Sequence, residues 1–241
     1  MQKSILSSIL LLGAVCAQAN NYTVTSPNGK LVMNVKCEGG KASYTVDLNG
    51  KQMLAASALG LVANYGDFSQ GLTMGALKGA PKHLTYVMEH TKKSHVEKDV
   101  YEATIGFLNA KKDSMTLHLH VSDNDVAYKY EMSRPKKDNP KSVIIYKEVS
   151  GFNFPEKTTT FLCPQITPMT GWERTKPSYE EEYTPNAQMN VKSQFGVGYT
   201  FPCLFKVGED GWVLVSETGV SSAYPGSRLS DYEPGKGYTV A

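Results

Sequence analysis

Three adjacent carboxylates stand between two aromatic rings in Tyr179-Glu180-Glu181-Glu182-Tyr183. Neighbouring carboxylates repel, and an extended chain sends the middle one to the opposite face from the other two. A hard cation would offset the repulsion, since calcium accepts roughly six to eight oxygen ligands in irregular geometry, although this segment alone cannot fill that shell. The competing reading is a solvated acidic loop balanced by Arg174 and Lys176, the ordinary state of exposed carboxylates.

Other residues invite chemistry less strongly. His118 and His120 lie two apart in Ser114-Met-Thr-Leu-His-Leu-His-Val121, so on a strand both imidazoles project to one face and could ligate a metal. No third His or Cys stands at a supporting distance, and a solvated sheet face, which explains the alternation well, is the stronger reading. Asp123-Asn124-Asp125 carries oxygens suited to calcium but lacks the Gly and distal Glu of an EF-hand loop, which favours a hairpin turn. The chain contains no G-x-S-x-G elbow, P-loop or H-E-x-x-H motif, and no Ser, His and Asp set that strand pairing would bring together. Glycoside hydrolysis needs two carboxyl groups flanking the scissile bond, and counting Glu residues neither supports nor excludes it.

The elements that must position these residues read as antiparallel strands. From Asn21 onward, short apolar or β-branched runs alternate with Gly, Pro, Asn and Asp punctuation. Asn28-Gly29 and Asn49-Gly50 each join two such runs, and this dipeptide suits hairpins needing positive φ at both central residues. Strands are expected at Leu84 to Glu89, Val100 to Asn109, Ser114 to Val121, Val126 to Met132, Ser142 to Tyr146, Thr158 to Cys163, Gly198 to Phe205 and Trp212 to Ser216. The Gly-rich stretch from Asn64 to Lys82 reads as a loop or irregular edge. The expected fold class is all-β, a large two-sheet antiparallel β-sandwich.

The chain has 241 residues, and its net charge of +2 comes from 25 basic and 23 acidic side chains, so no broad field favours nucleic acid or anionic lipid. Met1 to Ala19 combines Lys3, a short apolar run and Ala17-Gln18-Ala19, the marks of a secretory signal peptide, leaving residues 20–241 as one domain. A periplasmic or secreted protein is expected, with no membrane span after cleavage. Cys37, Cys163 and Cys203 then remain, with no C-x-x-C spacing, and read as small buried residues.

Several segments, in order, resemble the amino-terminal domain of glycoside hydrolase family 97: Thr25 to Met33, Ser57 to Leu61, Val121 to Glu131, Trp172 to Thr184, Gly211 to Gly219 and Ala223 to Gly226. The resemblance implies a galactose-mutarotase-like super-sandwich that, in an exported enzyme acting on α-linked glucosides or galactosides, is followed by a (β/α)8 catalytic barrel and a small second sandwich. It implies that Glu180 joins barrel carboxylates around a calcium ion beside the substrate, with Tyr183 packing nearby. Glu217, in Ser-Glu-Thr-Gly, resembles a glutamate at the interdomain face and is expected to be a substrate-binding or docking residue. A barrel needs about 250 residues, so this chain would hold the non-catalytic part, with calcium shared with the absent barrel and no hydrolysis expected from it alone. Two other readings stand beside this one. A freestanding carbohydrate-binding module would use Trp172, Trp212 and tyrosines as a stacking platform, and an exported sandwich could serve only protein contacts.

Overall fold

The computed structural model describes residues 20–133, 142–166, 181–222, 224 and 226–241. All regular elements among them are β-strands, paired antiparallel. The first sheet is β1 (Asn20–Thr25), β2 (Leu31–Glu38), β3 (Lys41–Leu48) and β4 (Lys51–Leu59), in chain order. The second runs β10 (Val126–Met132), β9 (Ser114–Ser122), β8 (His95–Leu108), β7 (Thr73–Val87). These two sheets face each other, β1 against β8 and β2 against β9.

Alternation decides what lies between them. Met115, Leu117, Leu119 and Val121 of β9 point inward while Thr116, His118 and His120 remain partly exposed. Leu31, Met33, Val35 and Cys37 do the same from β2. A one-residue slip would turn either set to water, so burial itself fixes the register. Tyr44 and Tyr128 bridge the sheets edge to face at 5.6 Å.

The second half of the chain forms another sheet, β14 (Thr184–Gln188), β13 (Thr158–Pro164), β15 (Tyr199–Val207) and β16 (Gly211–Val215), with β17 (Arg228–Leu229) also pairing β15. Its buried face, including Leu162, Cys203, Phe205, Val215 and Leu229, continues the same core, with Phe154 stacked on Phe205 at 4.1 Å. Short ladders complete the wall: β11 (Ile145–Glu148) on β5 (Leu61–Ala63) and β6 (Gly66–Asp67), and β12 (Gly151–Phe152) on β18 (Tyr238–Thr239). Among the described residues no helix is long and apolar enough to cross a membrane.

Two local expectations are corrected. Residues 64–82 are not a loop throughout, because β7 begins at Thr73 and stays paired with β8 as far as Val87 opposite His95. The partner strand supplies the β-branched and aromatic side chains that the stretch from Met74 to Lys82 lacks, and a bulge between Met74 and Leu77 absorbs the irregularity near Gly75. The two Asn-Gly pairs also differ. Asn49 (φ 52°) and Gly50 (φ 74°) are both left-handed, whereas in the first turn Gly29 alone is, and the Asn28 side chain accepts from the Ser26 hydroxyl and the Lys30 amide, each at 2.9 Å. Asn28 there acts through its side chain, an Asx turn, rather than through backbone geometry.

Candidate functional site

The acidic run leads into β14. Glu180 lies outside the described residues, as do Trp172, Arg174 and Lys176. Its neighbours are placed: Glu181 is half-buried, with its carbonyl 3.8 Å from the Cys163 sulfur, while Glu182 and Tyr183 are exposed. Thr184 then pairs with Leu162. Glu181 and Glu182 thus stand just before a paired strand, at the edge of the sheet that holds β13 and β15. Among the described residues no three His, Cys, Asp or Glu side chains converge on a metal. A cation held by this run would take its remaining oxygens from elsewhere.

Glu217 follows β16 directly. Its two oxygens accept from Ser227, one from the backbone N–H and one from the hydroxyl, both at 2.8 Å. A second glutamate, not singled out by sequence, shares the corner. Glu148 closes β11, and burial together with the Glu217 charge raises its carboxyl above the ordinary carboxylate value, while a hydrogen bond from Ser150 pulls the other way. Tyr224 is near enough to feel both charges, and burial with the two carboxylates raises its phenol. A carboxyl raised by burial near a second carboxylate is a recurring mark of functional corners, and of structural networks too.

A polar relay supports Glu148 from behind. Ser150 is fully buried and lies 2.7 Å from the Tyr130 hydroxyl, which also accepts the Gly60 amide at 2.9 Å. Tyr44 donates to the Gly151 carbonyl at 3.0 Å, and Tyr128, its phenol raised well above normal by burial, completes the set. Gly60 has φ of 135°, and a Cβ there would sit 2.3 Å from the Phe68 carbonyl oxygen. Glycine is therefore required where the Gly60 carbonyl receives Val149 N–H at 2.9 Å and fixes the strand carrying Glu148.

The remaining candidates are accounted for within the sheet. His118 and His120 do share a face, but His118 pairs with Glu131 at 2.6 Å while His120 lies near Glu102 and Asp125 at 3.8 and 3.9 Å. Asp123 accepts the Asn28 amide at 2.9 Å, and Asp125 takes the Ser122 hydroxyl and Lys98, so this turn clasps the neighbouring hairpin. Trp212 is 53% exposed and tilted against Phe161 at 5.3 Å on the outer face of the β13–β15–β16 sheet.

The all-β scaffold agrees with a family match: residues 24–241 fit the model described as glycosyl-hydrolase 97 N-terminal. The chain belongs to that family. A crystal structure of a beta-arabinopyranosidase aligns with this family 97 N-terminal domain at TM-score 0.86 and 47% identity, covering 91% of this chain and 35% of that one. Family 97 enzymes of Pseudoalteromonas sp. strain K8, one in complex with panose and one with acarbose, align at TM-score 0.76 and 20% identity, covering 91% of this chain and 31% of theirs. The family 97 domain thus spans about a third of each of these chains, and at the lower identity the likeness speaks for the fold. No curated protein matches the sequence.

The family resemblance of Ser-Glu-Thr-Gly pointed to Glu217, while Glu148, Ser150, Tyr224 and Ser227 were missed. Only the alternation that places Tyr128 and Tyr130 on one side of β10 offered a signal, because the other contacts join residues far apart in the chain.

Proposed function

We propose that this chain is the non-catalytic N-terminal sandwich of an exported family 97 glycosidase, built to brace the rim of an active site carried by a following barrel. In this reading Glu180 contributes one oxygen ligand to a calcium ion completed by barrel carboxylates, and the Glu217 corner faces the docked domain or the bound sugar. Calcium would neutralise the clustered charge of the acidic run and orient groups beside the glycosidic bond. The observation that carries the reading is the family match across residues 24–241. The exposed Glu182 and Tyr183 at the sheet rim support it.

Similarity to the beta-arabinopyranosidase supports one substrate class over the other. β-L-Arabinopyranose has the ring configuration of α-D-galactopyranose without its hydroxymethyl group. Between α-glucosides and α-galactosides, the galactose-configured class is therefore favoured, arabinopyranosides included. Export places the enzyme in the periplasm or outside the cell.

The test joins two measurements. Calorimetric titration of this chain alone with calcium should show at most weak binding. In the enzyme that joins it to a barrel, Glu180→Gln should reduce calcium affinity by about 10–100-fold and lower activity with it. Tight stoichiometric calcium on the isolated chain, or an unaltered affinity in the variant, would contradict the shared site.

The exposure of Trp212 favours one second reading, a freestanding carbohydrate-binding module that stacks sugar on the Trp212–Phe161 pair. Quenching of Trp212 fluorescence by oligosaccharide, abolished in Trp212→Ala, would promote it over the first.

A further inference from the structure

The β7–β8 ribbon leaves the sandwich beside the β1–β2 turn, and between them lies a groove of about 400 Å³. Thr25 and Pro27 line it from the turn, and Pro81, His83, Asp99 and Tyr101 from the ribbon. We propose that this groove is an additional carbohydrate-binding site that takes the end of a neutral oligosaccharide. Tyr101, Pro81 and Pro27 would lie against the C–H faces of a sugar ring, with Thr25 and the His83–Asp99 pair at its hydroxyls.

Both walls are preformed. The turn is held by its own Asx bonds and by Asn28 N–H donating to Asp123 on the β9–β10 turn, and Ser26 is buried. On the ribbon side the groove sits where β9 ends, since Val100 opposite Ser122 is the last pair of the three-stranded part. Tyr101 lies opposite Pro81, and its ring passes over Gly79, where a Cβ would stand 2.7 Å from the ring edge. Any other residue at Gly79 would push the ring from that position.

Charge selects the ligand. His83 pairs with Asp99 at 2.7 Å, and Lys82, which also lines the groove, pairs with Glu102 at 3.1 Å. Lys82 is thus drawn to a carboxylate outside the groove lining and His83 to Asp99 within it, so a phosphate or sulfate would meet the Asp99 carboxylate. A purely apolar ligand would strand these polar groups. Rings set among paired donors and acceptors suit a polyhydroxylated, uncharged molecule, and the groove's volume falls in the range of small-molecule sites, roughly 300–1,000 Å³.

This inference rests on the reading that the chain serves a glycosidase, whose surroundings supply such ligands. The test is titration of the isotope-labelled full chain with panose and with melibiose, followed by NMR. Shifts should gather at Thr25, His83, Val100 and Tyr101, with affinity weakened about tenfold in Tyr101→Ala, as expected for loss of a stacking ring. His83→Ala is a second variant that leaves the fold intact, because the side chain is 60% exposed, and it should weaken binding several-fold. The proposal is overturned if neither sugar moves these signals at tens of millimolar, if both variants bind unchanged, or if inorganic phosphate moves them more than the sugars do. A negative result here leaves the Glu180 calcium test untouched, and an unaltered calcium affinity in Glu180→Gln leaves a positive groove titration standing.

Discussion

Ser227 holds both oxygens of the Glu217 carboxylate, its backbone N–H on one and its hydroxyl on the other, each at 2.8 Å. Ten residues of chain are closed into a loop by that grip, so the carboxylate shapes the corner whether or not a sugar reaches it. Glu217→Ala should destabilise the domain by about 1.5–3 kcal/mol, the worth of hydrogen bonds to a charged acceptor, and Ser227→Ala by about 1 kcal/mol. Urea unfolding of both single variants and the double variant measures the coupling. An unfolding midpoint unmoved by Glu217→Ala would reduce the contact to ornament.

The Glu148–Glu217 pair sets a pH dependence. Burial first, and then the Glu217 charge, raises the native-state value of Glu148 above its unfolded value of 4.5. The native state therefore binds this proton before the unfolded state does. Its contribution to stability improves as pH falls through the interval between the raised native value and 4.5, and is least favourable above that interval. Glu148→Gln should raise the melting temperature at neutral pH and flatten the slope in that window. Thermal scans across a pH series decide it, and a variant less stable than the parent at neutral pH would show that the charge is needed.

Gly60 carries a backbone constraint. With φ of 135° and the Phe68 carbonyl in the way of a Cβ, Gly60→Ala should cost about 3 kcal/mol. It should also disturb Tyr130 and Val149, which bond to the same residue. Denaturant unfolding with Tyr130 ring resonances as a local probe tests both parts.

Leu117 is completely buried between the two four-stranded sheets. Leu117→Ala should cost roughly 2–5 kcal/mol from lost transfer energy and the residual cavity. A midpoint shift smaller than that of an exposed-face control such as Thr116→Ala would mean the inner face is assigned wrongly.

Where one physical signal dominated, the sequence was easily read. Val126–Met132 was expected and observed with the same bounds, because strict alternation reports burial on one face directly. The part of β7 from Thr73 to Lys82 was obscured because its glycines and alanines carry little β preference of their own, and the pairing energy comes from a partner strand later in the chain. The Asn-Gly turns show a subtler limit: one dipeptide supports both a left-handed pair of residues and a side-chain-capped loop, and the flanking Ser26 decides between them. Glu217 was singled out only by the resemblance of Ser-Glu-Thr-Gly to a family segment, and Glu148 by nothing in the sequence. Its significance lies in a neighbour 69 positions away that only the fold brings near.

The β7–β8 ribbon outruns β9, so a single strand lives under two regimes. Around Ile105 its amides are locked on both sides in a sheet pressed against the core; around Val96 they have one partner strand and water beyond. Deuterium should therefore enter β8 from its beginning within the time of local fraying and reach the amides around Ile105 only when the whole domain opens, making one continuous strand a fast clock and a slow one together.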